Sequence, residues 1–416
     1  MSVSFWSDRS TPGRRSTADV VVIGGGVSGL STALALRAAD PRLGVTLVER
    51  SRVGDGASGR NAGMVLPLLA VPWLIEGALP SSDAAWGWAE LRRRWDQLIV
   101  DLASAGATVG GADFVLAAPN RAAEAGLDWL SGALTATGSG GTWLDRDELA
   151  DRTGEAARAG LALPAARVDP RQLCESLHTT ARQTGVVIRE HTLVTGIHPR
   201  VSGIEITTAG GESILAGHAV VAAGAWNTGL HPELAVGRVH QTFALVTEPL
   251  DPARLARLGG EDVLVGTAGT GFAYRRVIGD RLLFGGIDDR VAAPLDGVPP
   301  EIEQRLLAMM RSSLPWLGDV TVDRLWGGPI HSASMLELPV LRASEADARV
   351  VLVGGMAGAG LSWGLLAGAL VVGLVRPGLD DPDAARLRRC LDATQIPWVG
   401  GATAAWSVAR RLLVRS

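Results

Sequence analysis

The segment VVVIGGGVSG, Val20 to Gly29, constrains this chain more than any other stretch. A β-branched run ending at Ile23 meets Gly24-x-Gly26-x-x-Gly29, and small residues from Ser28 to Ala39 read on as a helix. The first glycine permits a tight turn, the second lets a pyrophosphate approach the backbone, and the third allows close helix–strand packing. The phosphates then meet the helix N-terminus at Val27 and Ser28. A second short strand, Val45–Val48, ends in Glu49, where a carboxylate can accept bonds from both ribose hydroxyls. Strand, turn, helix and acid in this order predict a Rossmann-like dinucleotide site. The acid argues against a 2′-phosphate, and so against NADP.

This motif alone does not separate FAD from NAD. Three later features favour FAD. A glycine-rich loop at 54–63 carries Ser58, Arg60 and Asn61, donors suited to a second phosphate or a ribityl chain. An apolar strand, Ala219–Ala223, runs into Gly224-Ala225-Trp226, a second approach to the same ligand. Gly358-Ala359-Gly360 starts a late helix whose free N–H groups can stabilise negative charge on a reduced flavin ring. No acid ends a strand about twenty residues beyond it, so one dinucleotide held by three segments is the simpler account.

Composition excludes several classes. The net charge of −4 offers no basic field for nucleic acid. All 39 basic residues are arginine, which leaves no lysine for a Schiff base or for oxygen activation. Two distant cysteines, Cys174 and Cys390, make neither a disulfide framework nor a metal site and fit a reducing cytoplasm. The arginines of the first twenty residues are followed by no apolar stretch, so no signal peptide is expected. Residues 350–375 carry no charge, but a β-branched run, a glycine-rich turn and a short helix fit a buried unit better than a membrane span.

The expected fold is α/β: a Rossmann-like FAD domain interleaved with a substrate domain on a large mixed β-sheet. An arm covers 1–16, the FAD domain 17–84, 165–228 and 325–380, the substrate domain 85–164 and 229–324, and a helical tail 381–416. Helices are predicted at 85–105, 170–183 and near 300–312. Strands are predicted at 113–117, 186–190, 193–198, 203–208 and 213–216, and mostly strands from 237 to 328.

These residues give the chain a resemblance to the D-amino-acid oxidase and glycine oxidase superfamily, particularly its gamma-glutamylputrescine oxidoreductase-like branch. The matching pieces include Ser4-Phe5-Trp6, ADVVVIGGGVSGLSTALAL, Glu49 with GASGRNAG, VDPRQL at 168–173, AVVAAGAW at 219–226 and AYRRVIGDRLLFGG at 273–286. The resemblance implies oxidation of an amine or amino acid to an imine. Together the motifs and the resemblance place Gly24, Gly26, Val27, Ser28, Gly29, Glu49, Arg50, Ser58, Arg60, Asn61, Gly63, Met64, Val194, Gly224, Trp226, Gly358, Gly360 and Leu361 around a non-covalent FAD. The chain also departs from the family pattern. Where amino-acid oxidases commonly keep a carboxylate-gripping arginine, it reads Trp326-Gly327-Gly328-Pro329-Ile330, which disfavours a simple α-amino acid.

Hydride transfer to a flavin needs orientation and dryness more than acid–base groups. The candidates are Tyr274 and Arg276, alternating on one strand to hold a polar or anionic substrate tail, and His331 and His240 as bases for a protonated amine. Trp73, Trp226, Trp326 and Trp363 suggest an aromatic pocket. The reading is an amine oxidase or dehydrogenase using oxygen, a quinone or a carrier protein as acceptor, with no transmembrane segment. N-hydroxylation or desaturation on the same scaffold, or a non-catalytic FAD-binding partner, are the alternatives.

Overall fold

A computed structural model of the chain describes residues 15–68, 79–104, 109–138, 140–235, 237–269, 272–291, 297–334 and 337–395. The Ser4-Phe5-Trp6 match, Trp73 and most of the expected tail lie outside them; its described part is the helix Pro382–Ala393, capped by Asp381.

Two mixed sheets organise the described residues. The first has eight strands, with the path Val340–Ala343, Val350–Gly354, Ser213–Val221, Arg15–Ile23, Val45–Val48, Val187–Arg189. Its centre is parallel and fully buried: Val20, Val21, Val22, Val220, Val221, Val351 and Leu352 have no exposed surface. Continuous β-branched runs suit strands covered on both faces. Ser213–Val221 is one strand where the sequence suggested two. Its register with Arg15–Ile23 runs through Gly217, where a Cβ would stand 2.9 Å from the Asp19 carbonyl.

Two helices cover one face together. Val27–Ala39 lies on Gly360–Val375, and small residues allow the approach: Ser31 Oγ donates to the Gly364 carbonyl at 2.6 Å, and Gly368 abuts Ser31 and Thr32. With the turn before it, the span Ala357–Val375 is long and apolar enough to cross a membrane by length and composition, but it is largely buried against these partners. Its apolar surface is spent on the core, as the strand–turn–helix reading anticipates. Burying one such Leu or Val side chain contributes roughly 1.5–3 kcal/mol.

The second sheet has nine strands, with the path Val322–Ser332, Arg238–Thr247, Arg281–Val291, Ala273–Ile278, Val263–Thr267, Val109–Ala118, Ala159–Val168, Met64–Val65. Two of its strands run past the boundaries suggested at 164/165 and 324/325. On its outer face the helix Ile302–Ser313 covers Phe243, Leu245 and Phe284. Beneath that face Arg275 Nε donates to Glu155 Oε1 at 2.6 Å, with both side chains almost wholly buried. The helices Arg121–Ala136 and Arg146–Thr153 and the strand Ala159–Val168 fill a region with no assignment from sequence. The inner face of this sheet looks onto the 54–63 loop of the first unit.

Candidate cofactor and substrate site

The glycine turn is closed to side chains where the motif requires it. Gly24 has φ +113°, and a Cβ there would strike the Ala222 carbonyl; one at Gly29 would strike the Gly24 carbonyl. A Cβ at Gly26 would stand 2.8 Å from Ser58 Oγ, which accepts the Val27 N–H at 3.0 Å. Apart from that Ser58 contact, neither this helix nor the one starting at Gly360 is capped by its N-cap side chain or carries an acid in its first turn. Asn120, Asp145, Asp169 and Asp381 cap other helices here. Uncapped first-turn N–H groups carry partial positive charge suited to a phosphate or an anionic ring.

Glu49 is held from both sides. Its Oε2 accepts the Gly25 N–H at 2.7 Å and its Oε1 the Ser51 N–H at 2.8 Å. Each oxygen retains a lone pair for a ribose hydroxyl. The Arg50 guanidinium lies 3.7 Å from the centroid of a Trp226 ring, joining two of the expected contacts. Gly224 has φ +59°, and a Cβ there or at Gly358 would meet nothing within 4 Å; one at Gly360 would meet only Met356, at 3.8 Å. Closed glycines at the turn and open ones beside the late helix fit a dinucleotide with a broad planar end. Val194 is buried at the start of its strand, and Leu361 sits in the core beneath the helix start.

The 54–63 loop differs from expectation in detail. Asn61 Nδ2 donates to the Ala57 and Ser58 carbonyls at 3.2 and 2.7 Å, while Oδ1 accepts the Gly63 N–H at 2.8 Å. Its side chain closes the turn instead of offering donors to a phosphate. Arg60 Nε donates to the Asp55 carbonyl at 2.9 Å, and the Arg60 carbonyl accepts from Trp326 Nε1 at 2.8 Å. Met64 begins a two-residue strand paired with Ala166 and Arg167. Asn227 has no role in the sequence reading, yet it is wholly buried: Oδ1 accepts the Ala223 N–H at 2.7 Å and Nδ2 donates to the Val353 carbonyl at 3.0 Å. It ties the Gly224 turn to a neighbouring strand end. A polar residue directly after Gly-Ala-Trp was the available signal.

Strand register puts Tyr274, Gly285, Ala244, Thr242, Gly328 and Ile330 in one patch on the inner face. The Tyr274 ring lies over Gly285, where any Cβ would overlap it, with its hydroxyl towards Thr242, whose own hydroxyl donates to the Gly286 carbonyl at 3.1 Å. Burial pushes the phenol pKa up, against a smaller lowering by the neighbouring Thr242. Arg276 shares this face but turns to the loop: Nη1 donates to the Ala62, Gly63 and Val168 carbonyls at 3.0, 3.0 and 3.1 Å. Burial holds its pKa below the ordinary arginine value.

The histidines part company. His240 pairs with Ile330 on the inner face, and its Nδ1 lies 3.1 Å from Asp288 Oδ1. His331, one residue on, points to the opposite face and packs over Gly237. Burial lowers its pKa to about 4. The structure therefore brings Tyr274 and His240 to one face and takes His331 off it. Trp226 and Trp326 flank the loop, while Trp363 is core. Cys174 is also core, its thiol pushed up to about 11 by burial.

Known proteins share this fold. The chain is 26% identical over 401 residues to the gamma-glutamylputrescine oxidoreductase of Escherichia coli (strain K12), covering 93% of this chain and 89% of that one. It is 27% identical over 351 residues to the bifunctional protein ThiO/ThiG of Synechocystis, covering 82% of this chain but only 49% of that longer protein. Among solved structures, glycine oxidase from Geobacillus kaustophilus superposes with a TM-score of 0.69 at 22% identity, covering 87% of this chain and 95% of that one. The fold is thus shared where the sequences have diverged. The model of the DAO family, described as FAD dependent oxidoreductase, matches residues 19–374, from the first strand to the end of the late helix. With the glycine turn, Glu49 and the open helix starts all inside that span, this chain belongs to the DAO family of FAD-dependent oxidoreductases.

Proposed function

We propose that this enzyme oxidises a carbon–nitrogen bond in an amine that bears no carboxylate on the reacting carbon, yielding an imine. The observation that carries this reading is the inner-face patch. Between Tyr274 and Ile330 it presents the Tyr274 hydroxyl and otherwise mostly apolar or glycine surface: the Thr242 hydroxyl donates to the Gly286 carbonyl at 3.1 Å, Arg276 turns away to the Ala62, Gly63 and Val168 carbonyls, and Arg290, opposite His240, is exposed at the rim. An α-carboxylate placed there would lose its water without gaining a cationic partner. At the edge of the patch the Asp288 carboxylate, paired with His240 and more than half exposed, attracts an ammonium group.

FAD bound at the glycine site supplies the two-electron sink. The protein's own share is orientation and dryness. The Tyr274 phenol, kept neutral by burial, donates to or accepts from the amine. Ile330 and Trp326 exclude water beside it. The amine substrate of the Escherichia coli relative is in keeping with this choice. The electron acceptor is oxygen, a quinone or a carrier protein, and the absence of lysine favours a dehydrogenase or a slow oxidase. The two buried free cysteines suit a cytoplasmic setting.

The test is anaerobic addition of mono- and diamines, and separately of α-amino acids, to the FAD-loaded protein while its visible spectrum is recorded. Amines should bleach the flavin band and amino acids should leave it intact. A band that only amino acids bleach, or that no amine changes, overturns the reading.

A further inference from the structure

A second feature lies on the far side of the Gly59–Ala62 loop. A cavity of about 720 Å³ opens there between that loop, the start of the helix Pro170–Gln183 and the inner face of the second sheet. Of the residues expected around FAD only Arg60 and Asn61 line it, and none of Gly24–Gly29, Glu49, Gly224 or Gly358–Leu361 does, so it adjoins the dinucleotide cradle through that loop alone.

Its charge is one-sided. Arg60, Arg171, Arg276 and Arg324 line it, and Asp169 is the single carboxylate among its lining residues, in a chain whose net charge is −4. Asp169 is already engaged, since its Oδ1 accepts the Arg171 and Gln172 N–H groups at 2.8 and 3.0 Å. Arg171 is partly satisfied, reaching Glu175 at 2.8 Å and Asp55 at 3.2 Å. Among the described residues Arg324 pairs with Asp323, at 3.8 Å.

Arg276 separates this cavity from an ordinary surface cluster of arginines. It is 6% exposed, its three bonds all leave from Nη1, and its Nε is buried with no acceptor among the described residues. A buried guanidinium without a carboxylate partner is costly unless an anion completes it. The remaining wall is apolar, formed by Val168, Ile278, Leu283 and Leu325.

We propose that this cavity binds an organic anion, a carboxylate or phosphate carried on a short apolar stem, with Arg276 and Arg324 holding the charge. The Gly59–Ala62 loop would form one wall of this site. The proposal stands whether or not the enzyme's substrate is an amine.

Isothermal titration of the FAD-loaded protein tests it directly, with hexanoate, hexyl phosphate, acetate and hexylamine as probes. Hexanoate and hexyl phosphate should bind at least about tenfold more tightly than acetate, because the stem meets apolar wall, and hexylamine should give no heat. Arg324→Gln and Arg276→Gln, each checked for an intact flavin spectrum, should weaken hexanoate at least about fivefold. Arg324→Gln keeps the test open if loss of the Arg276 brace unfolds the loop. Competition between hexanoate and a turned-over amine would assign the anion to the substrate's own tail, and independence would assign it to a separate ligand; either retains the site. No binding of either anion, equal binding of hexylamine, or unchanged binding in both variants overturns it.

Discussion

Glu49 and Gly25 meet through one 2.7 Å hydrogen bond, from the glycine N–H to Oε2, across twenty-four residues of chain. The bond sets the carboxylate before the cofactor arrives, with the Ser51 N–H fixing its other oxygen. Glu49→Ala removes the acceptor for both N–H groups and for the ribose. Hydrogen bonds to a charged group are worth about 1.5–3 kcal/mol, so FAD affinity should fall roughly 10- to 100-fold. Titrating apoprotein with FAD and following flavin fluorescence checks this; an unchanged dissociation constant would remove Glu49 from the site.

Tyr274 depends on the bareness of Gly285. Gly285→Ala must push the ring off the sheet, because the added methyl takes the volume the ring occupies. The expected result is unchanged FAD content with kcat/KM lowered at least about tenfold. Tyr274→Phe keeps the ring in place and loses only the hydroxyl's bond to the amine, so its loss should be smaller, about 3- to 10-fold. Equal activity in both variants would show that the patch does not hold the substrate.

Acid should weaken the fold through His331. Its folded pKa is about 4 against an ordinary 6.5, because burial disfavours the charged ring. Between those values the unfolded chain takes up a proton that the folded chain refuses. The contribution is fully present above pH 6.5 and is lost as pH falls towards 4, amounting at most to about 3 kcal/mol. Urea midpoints from pH 7 to pH 4.5 should fall more steeply in the parent than in His331→Gln. Parallel slopes would show that His331 does not contribute.

The Glu155–Arg275 pair beneath the second sheet makes a stability prediction. Arg275 also donates to the Thr153 and Leu258 carbonyls, so removing its carboxylate leaves a buried charge half satisfied. Glu155→Ala should cost about 3–5 kcal/mol, whereas Glu155→Leu with Arg275→Met should recover most of it. Chemical denaturation of the three proteins separates these outcomes.

The first sheet was legible because its centre is simple. β-branched runs ending in glycine or an acid announce buried parallel strands, and Asp169-Pro170 announces a helix start that the structure reproduces. Ala159–Val168 was not legible. AGLALPAARV has little strand propensity, and its strand exists because Val109–Ala118 pairs along its whole length. Pro164 survives there because it falls between two short partners on the other side, Thr142–Leu144 and Met64–Val65. At the site, the glycines and Glu49 were readable because backbone geometry demands them. Arg276 was readable only as a face, since its three acceptors are carbonyls from segments more than a hundred residues away.

That last arrangement has a consequence for how the protein is made. The glycine fingerprint leaves the ribosome first, but the braces on its neighbouring loop come from Arg276 and Trp326, 214 and 266 residues later than the carbonyls they hold. The partner helix at Gly364 follows Ser31 by 333 residues. Contacts of such span form late, after their loops have closed. A nascent chain should therefore display its dinucleotide motif long before it can grip anything. Firm retention of FAD then becomes a signature of chains that have been synthesised, and folded, nearly to their end.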